Sequence, residues 1–285
     1  MPVRFYSITF VVLWASAFIS AKYGMMGAGP FSFLFTRFLI VTALFALMAM
    51  IMRAAWPTKA ELPPLLIAGV LMHGVYLGGV FYAISIGTPA GIASLIVSIQ
   101  PIITAFLALF LLEEKIRPIQ WAGILLGMTG VLLVISPRLG GAVPNLGLIC
   151  CMVGVGAMSV GTLIQKRYLG KMNLVTGNAL QAMGAAGFYG LLLLTIETYQ
   201  LEWTLEVTLS MLWIVSTVSI GAVTILMLLI RQGQLAATSS LFFMVPPVSA
   251  VMGYLAFGEV LGTVGIIGFM VASLGVWLVN KPEKQ

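Results

Sequence analysis

Long runs of apolar residues, separated by short polar segments, follow one another from end to end of the chain. A helix needs about 20 apolar residues to cross a hydrocarbon layer about 30 Å thick. The chain divides into ten runs of about this length, which predicts ten membrane-spanning helices. We number them spans 1 to 10. Their approximate bounds are 5–23, 30–52, 63–84, 89–111, 118–136, 146–165, 174–196, 208–230, 236–257 and 262–280.

The composition agrees with an all-α integral membrane protein. Of 285 residues, 61% are hydrophobic and 8% are charged, and the mean hydropathy is +1.12. The ten spans leave no room for a soluble domain. Ala15, Ser16 and Ala17 resemble a signal-peptide cleavage site, but their apolar run continues to Tyr23, so we expect an uncleaved first helix.

Basic residues concentrate in alternate loops. With the amino terminus in the cytoplasm, eleven of the fourteen lysines and arginines fall on the cytoplasmic side. This asymmetry predicts a multi-pass protein of the plasma (bacterial inner) membrane with both termini in the cytoplasm. The net charge of +6 therefore indicates orientation in a membrane rather than nucleic-acid binding.

Spans 4 and 9 have related sequences. When residues 87–113 are compared with residues 233–259, at an offset of 146, seven positions are identical. About two or three identities are expected by chance in so apolar a sequence, so we infer an internal repeat. The identical pairs are Gly87 and Gly233, Ala90 and Ala236, Ser94 and Ser240, Leu95 and Leu241, Pro101 and Pro247, Leu109 and Leu255, and Glu113 and Glu259.

The repeat predicts two inverted halves. Each half contains five spans, and because five is odd, the second half enters the membrane upside down. We predict a first repeat at 1–136, a linker at 137–145 and a second repeat at 146–285. Inverted repeats are typical of secondary transporters, in which the substrate site lies near the midplane between the halves. If the two halves exchanged their conformations, an outward opening would become an inward one, which is alternating access.

Particular motifs resemble a known family. The sequence YAISIGTPAGIASLIVSIQPIITAFLALFLLEE, residues 82–114, is similar to the fourth helix of EamA-type drug/metabolite transporters, and residues 235–259 are similar to the ninth. LWASAF in span 1 and the arginine of PFSFLFTRF in span 2 also match. The resemblance implies ten helices, a central cavity and export of a small metabolite. Within the superfamily, the chain most resembles YddG-type exporters of aromatic and other neutral amino acids.

Prolines stand near the middle of both repeated spans. Pro101, Pro246 and Pro247 lack an N–H group and clash with the carbonyl four residues back, which kinks a helix. An unpaired carbonyl is costly in lipid, so the freed groups should face protein or a water-filled cavity. We interpret these bends as cavity wall or as hinges of a gate. The alternative is that they only shape the packing.

Several side chains are candidates for the cavity wall. His73, the sole histidine, and Tyr76 share a face near the middle of span 3, where a polar residue is expensive and usually faces the interior. Trp14 in span 1 and Gln100 beside the kink are further candidates. Each has an alternative role in core packing.

Four more candidates come from spans 4 and 9. They are Ser94, Ser239, Ser240 and Phe243. The serines have an alternative role, since a serine in a helix often bonds to a carbonyl of its own helix. For Arg37 in span 2 we expect a structural role, snorkelling to the outer surface or pairing with a carbonyl. The alternative is attraction of a carboxylate at an outer vestibule.

Small residues form stripes at three- and four-residue spacing in spans 5 and 10. Such stripes allow close contact between helices. We predict a peripheral packing seam, with a homodimer interface as the alternative. The stripes consist of Gly123, Gly127 and Gly130 in span 5 and Gly265, Gly268, Ala272 and Gly275 in span 10.

The residue types that are missing also limit the function. The chain has no aspartate, and none of its eight glutamates lies inside a predicted span. Ion-driven transporters usually bury a carboxylate on the path, so we predict a carrier without carboxylate-based proton coupling. One histidine and the adjacent Cys150 and Cys151 offer no metal site, cofactor site or catalytic group. We therefore predict a transporter of amino acids or a similar small molecule; alternatives are another metabolite or drug-like substrate, a membrane-embedded enzyme and a scaffold.

Overall fold

The protein is built of helices joined by short loops. The computed structural model describes residues 3–111, 117–135, 144–168, 172–222, 225, 245–260 and 262–279. The helices are α1 Val3–Gly24, α2 Pro30–Ile51, α3 Leu62–Ser85, α4 Ala90–Val97, α5 Gln100–Leu111, α6 Pro118–Ile135, α7 Asn145–Tyr168, α8 Leu174–Thr195, α9 Leu205–Ala222, α10 Val245–Phe257 and α11 Thr263–Val279.

The described helices overlap the predicted spans, with α4 and α5 both in span 4, whereas spans 8 and 9 are described only in part. By length and composition, four of them are able to cross a membrane: Pro30–Ile51, Leu62–Ser85, Asn145–Gln165 and Leu205–Ala222. Large apolar side chains such as Leu39, Leu125 and Leu191 are exposed on the outside of the bundle. A contiguous apolar surface of this kind is expected of helices that face lipid.

Span 4 is broken at the point where its proline predicts a bend. Helix α4 ends at Val97 and α5 begins at Gln100. At the break the Ile99 N–H bonds to the Ile96 carbonyl at 3.2 Å, a tighter turn than an α-helix makes. Pro101 then stands in the first turn of α5, where a missing N–H costs least.

The prolines of span 9 lie at the start of the described part of α10. Pro246 and Pro247 directly follow Val245, the first described residue of this helix, and Pro246 is buried. The residues on the other side of the predicted kink, 226–244, are outside the described part of the chain. They include Ser239, Ser240 and Phe243, whose predicted roles in the cavity stay predictions.

Helices of the first half pack against helices of the second. Helix α2 packs against α8, α6 against α11 and α4 against α10, whereas α3 packs against α7 and α1 against α9. A two-fold relation between the halves would exchange spans 1 and 6, 2 and 7, 3 and 8, 4 and 9, and 5 and 10. Under that exchange, the α2–α8, α6–α11 and α4–α10 contacts each map onto themselves. The α3–α7 and α1–α9 contacts map onto each other.

The loop after α8 holds the start of α2. The Glu197 carboxylate accepts hydrogen bonds from the Ser32 N–H at 2.8 Å and from the Ser32 hydroxyl at 2.7 Å. A carboxylate at a helix amino terminus pairs with free N–H groups and with the positive end of the helix dipole. This contact ties α2 to the second half at the end from which α2 enters the bundle.

The predicted glycine stripes pack against each other within one chain. A Cβ atom at Gly130 would lie 2.6 Å from the Ala272 Cα, and one at Gly275 would lie 2.6 Å from the Gly123 carbonyl oxygen. Only glycine allows α6 and α11 to approach this closely. The stripes thus form the expected packing seam, and association of two copies through other faces of these helices stays a prediction.

We predict that Gly130→Ala destabilises the protein by about 1–2 kcal/mol, because the new methyl group meets backbone that cannot move aside. Gly156→Ala in α7 is the matched control, since no described atom lies within 4 Å of its added methyl group. Alanine favours a helix over glycine, so the control should be neutral or stabilising. Unfolding of the purified variants in mixed micelles measures both, and equal stabilities would contradict the seam.

Candidate functional site

A cavity of about 300 Å³ lies between α1, α2 and α3 of the first half and α7, α8 and α9 of the second. Ligand pockets for small molecules range from about 300 to 1,000 Å³, so this cavity suits a molecule of roughly amino-acid size. Both halves of the chain contribute to the wall, which is the position that the internal repeat predicts for a substrate site.

Most of the described wall is apolar and aromatic. Three of the predicted residues belong to the wall, Trp14 on α1 and His73 and Tyr76 on α3. The Phe38 ring lies beside the imidazole of His73, with 5.6 Å between their centroids. Such a wall offers contact area to an aromatic or aliphatic side chain of a ligand. Its aromatic members are Trp14, Phe18, Phe38, Phe45, Tyr76 and Phe81.

Two π-helical segments contribute polar residues to the cavity wall. They are Val70–Val75 in α3 and Ile214–Ala222 in α9. Adding the repeat offset of 146 to 70–75 gives 216–221, which lies within the second segment. Each segment contributes one polar side chain to the wall, His73 and Ser219. Wide π-helical turns within α-helices often occur at functional sites.

A tyrosine hydroxyl bonds to two backbone carbonyls at the centre of the first π-helical segment. The Tyr189 hydroxyl lies 2.7 Å from the carbonyl oxygens of both His73 and Gly74, to which it can donate its proton. Tyr189 is fully buried, and its ring stacks near Phe38 with 6.0 Å between centroids. Helix α8 thereby fixes the turn of α3 that carries His73.

Arg37 lies in the cavity wall, which corrects the expected role at the outer surface. Its side chain is only 6% exposed, and its Nη2 donates a hydrogen bond to the Ser219 hydroxyl at 3.2 Å. The Ser219 hydroxyl donates in turn to the Ile214 carbonyl at 3.2 Å, so its oxygen is free to accept from the guanidinium. The π-helical segment of α9 thus orients an acceptor toward a cation on α2.

Three amides complete the polar part of the described wall: Gln165, Asn178 and Gln181. The amide nitrogen of Gln181 is buried and has no hydrogen-bond partner among the described residues. Gly69 allows α3 to approach this part of α8, because a Cβ atom there would lie 2.6 Å from the Gln181 Cα. Sequence reasoning missed these residues, although amides inside apolar spans 6 and 7 were a usable signal.

Two predicted wall residues lie elsewhere. Ser94 is buried between α4 and α10, where its hydroxyl bonds to the Gly91 carbonyl at 2.9 Å and to the Ser249 hydroxyl. Gln100 donates from its amide to the Thr104 hydroxyl at 2.9 Å. Both side chains find partners between packed helices, and neither faces the cavity.

The predicted contribution of the proline bends to the cavity is not found in the described wall. No described residue of α4, α5 or α10 lines it. Proline in the first turn of a helix leaves few groups unpaired, whereas a π-helical turn shifts carbonyls and side chains along the helix. Two polar groups of the described wall, His73 and Ser219, come from the π-helical segments. A hinge role for Pro101, Pro246 and Pro247 stays a prediction.

Polar contacts join the two halves at one end of the bundle. Lys22 at the end of α1 pairs with Glu259 after α10, with Nζ and Oε1 2.6 Å apart. Glu259 also accepts from the Ala90 N–H at 3.3 Å, at the start of α4. On the same side the Ser20 hydroxyl bonds to the Ser210 carbonyl at 3.1 Å. We call the Lys22, Glu259 and Ala90 contact the latch.

Comparison with known proteins finds a family that the amino-terminal part of the chain resembles. Residues 2–136 match the EamA-like transporter family. This part of the chain is thus an EamA-like domain. The part of the chain with this domain contributes α1, α2 and α3 to the cavity, together with Arg37 and His73.

Relatives of this EamA-domain protein match along nearly its whole length. An uncharacterized transporter of Archaeoglobus fulgidus is 27% identical over 276 residues, which cover 94% of this chain and 95% of the relative. A probable amino-acid metabolite efflux pump of Salmonella typhimurium is 26% identical, with 96% and 93% covered. A probable terminal-alkyne amino-acid exporter of Streptantibioticus cattleyicolor is 24% identical, with 95% and 91% covered.

A solved crystal structure shares the fold of the EamA-domain protein. The TM-score is 0.67 at 17% identity, and the match covers 97% of this chain and 95% of the other. The relatives reported above are transporters, which agrees with the prediction of transport rather than catalysis.

We predict that Tyr189→Phe destabilises the protein by about 1–3 kcal/mol, since it leaves buried carbonyls in the π-helical turn without a donor. Tyr254→Phe on α10 is the control, because Tyr254 is 58% exposed. Unfolding in mixed micelles gives the difference between the two. Equal stability of Tyr189→Phe and the control would show that the tyrosine hydroxyl does not support the cavity.

Proposed function

We propose that the protein is a carrier that exports amino acids, chiefly aromatic and other neutral ones, through the central cavity by alternating access. The observation that carries this proposal is the cavity itself, which combines aromatic walls with a buried guanidinium at Arg37. An amino acid has the matching groups, an apolar side chain and a carboxylate. The two relatives named for amino-acid export support the substrate class.

Alternating access rests on an inverted repeat of ten spans. The contacts between helices of the two halves agree with a two-fold relation between them. The π-helical segments occupy corresponding positions of spans 3 and 8. Both features support two structurally similar halves that exchange conformations around one site.

We infer the role of the latch from its position relative to the cavity. The cavity extends from Ala21, one residue before Lys22 on α1, to Gln165 and Asn178 toward the opposite end of the bundle. With the amino terminus in the cytoplasm, as predicted, the latch lies on the outer side and Gln165 toward the inner side. We therefore propose that the latch holds the outer side closed and that export requires it to open.

Efflux from proteoliposomes tests the function. Vesicles that contain the purified protein are loaded with labelled phenylalanine, leucine, glutamate or adenine, and release is followed after dilution. We expect saturable release of phenylalanine and leucine that exceeds release from empty vesicles at least tenfold. An imposed pH gradient should change the rate less than twofold, because no described wall residue is a carboxylate.

Release of adenine without release of any amino acid would replace the amino-acid substrate by another metabolite. Absence of saturable release for every compound would contradict a carrier and favour a scaffold. A strong acceleration by the pH gradient that is lost in His73→Gln would contradict transport without proton coupling.

The latch gives a separate prediction on the conformational equilibrium. We expect Lys22→Gln to increase outer labelling of Ala17→Cys by a membrane-impermeant maleimide about fivefold, in a background without Cys150 and Cys151. Loss of a partly buried ion pair worth about 1 kcal/mol would shift the equilibrium between a closed and an open outer end about fivefold. Position 17 is suitable because it lines the cavity on the same helix as Lys22.

Lys59→Gln in the exposed loop before α3 is the matched control for the loss of one positive charge. Equal labelling in the Lys22 and Lys59 variants would show that the ion pair does not hold the outer end closed.

A further inference from the structure

The charge of Arg37 has no counter-charge in the described structure. Arginine stays protonated in proteins, so its side chain brings a full positive charge into the bundle. Its described partners are the neutral Ser219 hydroxyl and the face of Phe38, whose ring centroid is 5.1 Å from the guanidinium carbon. Its Nε is buried without a hydrogen-bond partner. A buried cation in such surroundings costs several kcal/mol unless an anion joins it.

The chain does not supply that anion from its membrane spans. It has no aspartate, and its glutamates all fall at the ends of spans or in loops. Glu197 caps α2 and Glu259 belongs to the latch. Glu61 pairs with Thr58 in the loop before α3, where two hydrogen bonds from Thr58 lower the pKa of its carboxyl. An anion that pairs with Arg37 would therefore have to enter the cavity from outside the chain.

The donors around this position match a carboxylate. A guanidinium presents its N–H groups as a planar fork that binds two carboxylate oxygens at once. Ser219 holds one side of the Arg37 fork in place. The Gln181 amide, which lines the same cavity, offers a further buried donor without a described partner. A carboxylate that binds Arg37 and Gln181 would satisfy both groups.

The described wall contains no acidic side chain that could pair with an ammonium group. Its acceptors are hydroxyl, amide and imidazole groups, which bind an ammonium without compensating its charge. A ligand therefore gains more from its carboxylate than from its amine. This asymmetry distinguishes the cavity from sites that recognise both charges of a zwitterion.

We propose that Arg37 is the anchor for the carboxylate of the substrate, and that the cavity selects small carboxylic acids with an apolar body whether or not they carry an amine. This inference rests on the proposed function and specifies its substrate class. Deaminated analogues of amino acids are then ligands, and decarboxylated amines are not.

Four related compounds separate the contributions of the two charges: phenylalanine, 3-phenylpropanoate without the amine, phenylalaninamide with a neutral carboxyl end, and 2-phenylethylamine without the carboxylate. Binding to the purified wild-type protein is measured by isothermal calorimetry, which does not depend on transport. We expect the first two to bind with affinities within about fivefold of each other. The last two should bind at least tenfold more weakly, because they lose the charged hydrogen bonds.

Variants assign the effect to Arg37. In Arg37→Gln the affinity for 3-phenylpropanoate should fall at least tenfold, to the level of 2-phenylethylamine. In Arg37→Lys, which keeps the charge without the fork, we expect an intermediate affinity. Arg53→Gln, in the exposed loop after α2, is the control and should bind as the wild type does. If the Arg37 variants do not fold, the four compounds on the wild-type protein still decide the proposal.

Equal binding of the amine and the acid, or unchanged binding of the acid in Arg37→Gln, would overturn the inference. Failure of the proposed function is distinguishable, because it is a lack of release from proteoliposomes by a protein that still binds phenylalanine. Release of phenylalanine together with 2-phenylethylamine at equal rates would leave the carrier intact and overturn the carboxylate anchor.

Discussion

Backbone polar groups inside an apolar bundle must find partners within the protein, and this constraint determines where the chain can depart from regular helix. In hydrocarbon an unpaired carbonyl costs several kcal/mol. The π-helical segment Val70–Val75 is tolerated because the Tyr189 hydroxyl reaches the carbonyls of His73 and Gly74. The contact lies at the cavity, so a group that stabilises the fold also orients a polar residue of the site.

The same constraint explains the distribution of charge. Acidic side chains occupy helix ends, where Glu197 and Glu259 pair with N–H groups and a lysine. They also join the two halves there. The interior has Arg37, whose charge is partly offset by a hydroxyl and a ring among the described residues. A protein with its glutamates at helix ends and a cation in its cavity is suited to bind an anionic group reversibly.

Much of the fold was accessible from the sequence, whereas the site was accessible only in part. Apolar runs gave the helices, and the break before Pro101 followed from its missing N–H. His73 was predicted because a polar residue at such depth usually faces the interior, Tyr76 because it shares that face, and Trp14 because small residues follow it. For Arg37 a structural role was expected, by snorkelling or by pairing with a carbonyl, because the rotation of a helix about its axis is set by packing. The π-helical segments have no sequence signature, because their hydrogen bonds depend on tertiary partners such as Tyr189.

The two π-helical segments also show how a repeat can produce an asymmetric site. The offset of 146 places His73 opposite Ser219, so equivalent backbone positions carry different chemistry. Similar backbones would let the two halves exchange conformations at similar free energy, as the proposed alternating access requires. Different side chains would suit the cavity to a molecule whose two ends differ. Ser219 bonds to Arg37 and His73 packs against Phe38, so the polar and aromatic contacts of the cavity follow from this difference in side chains.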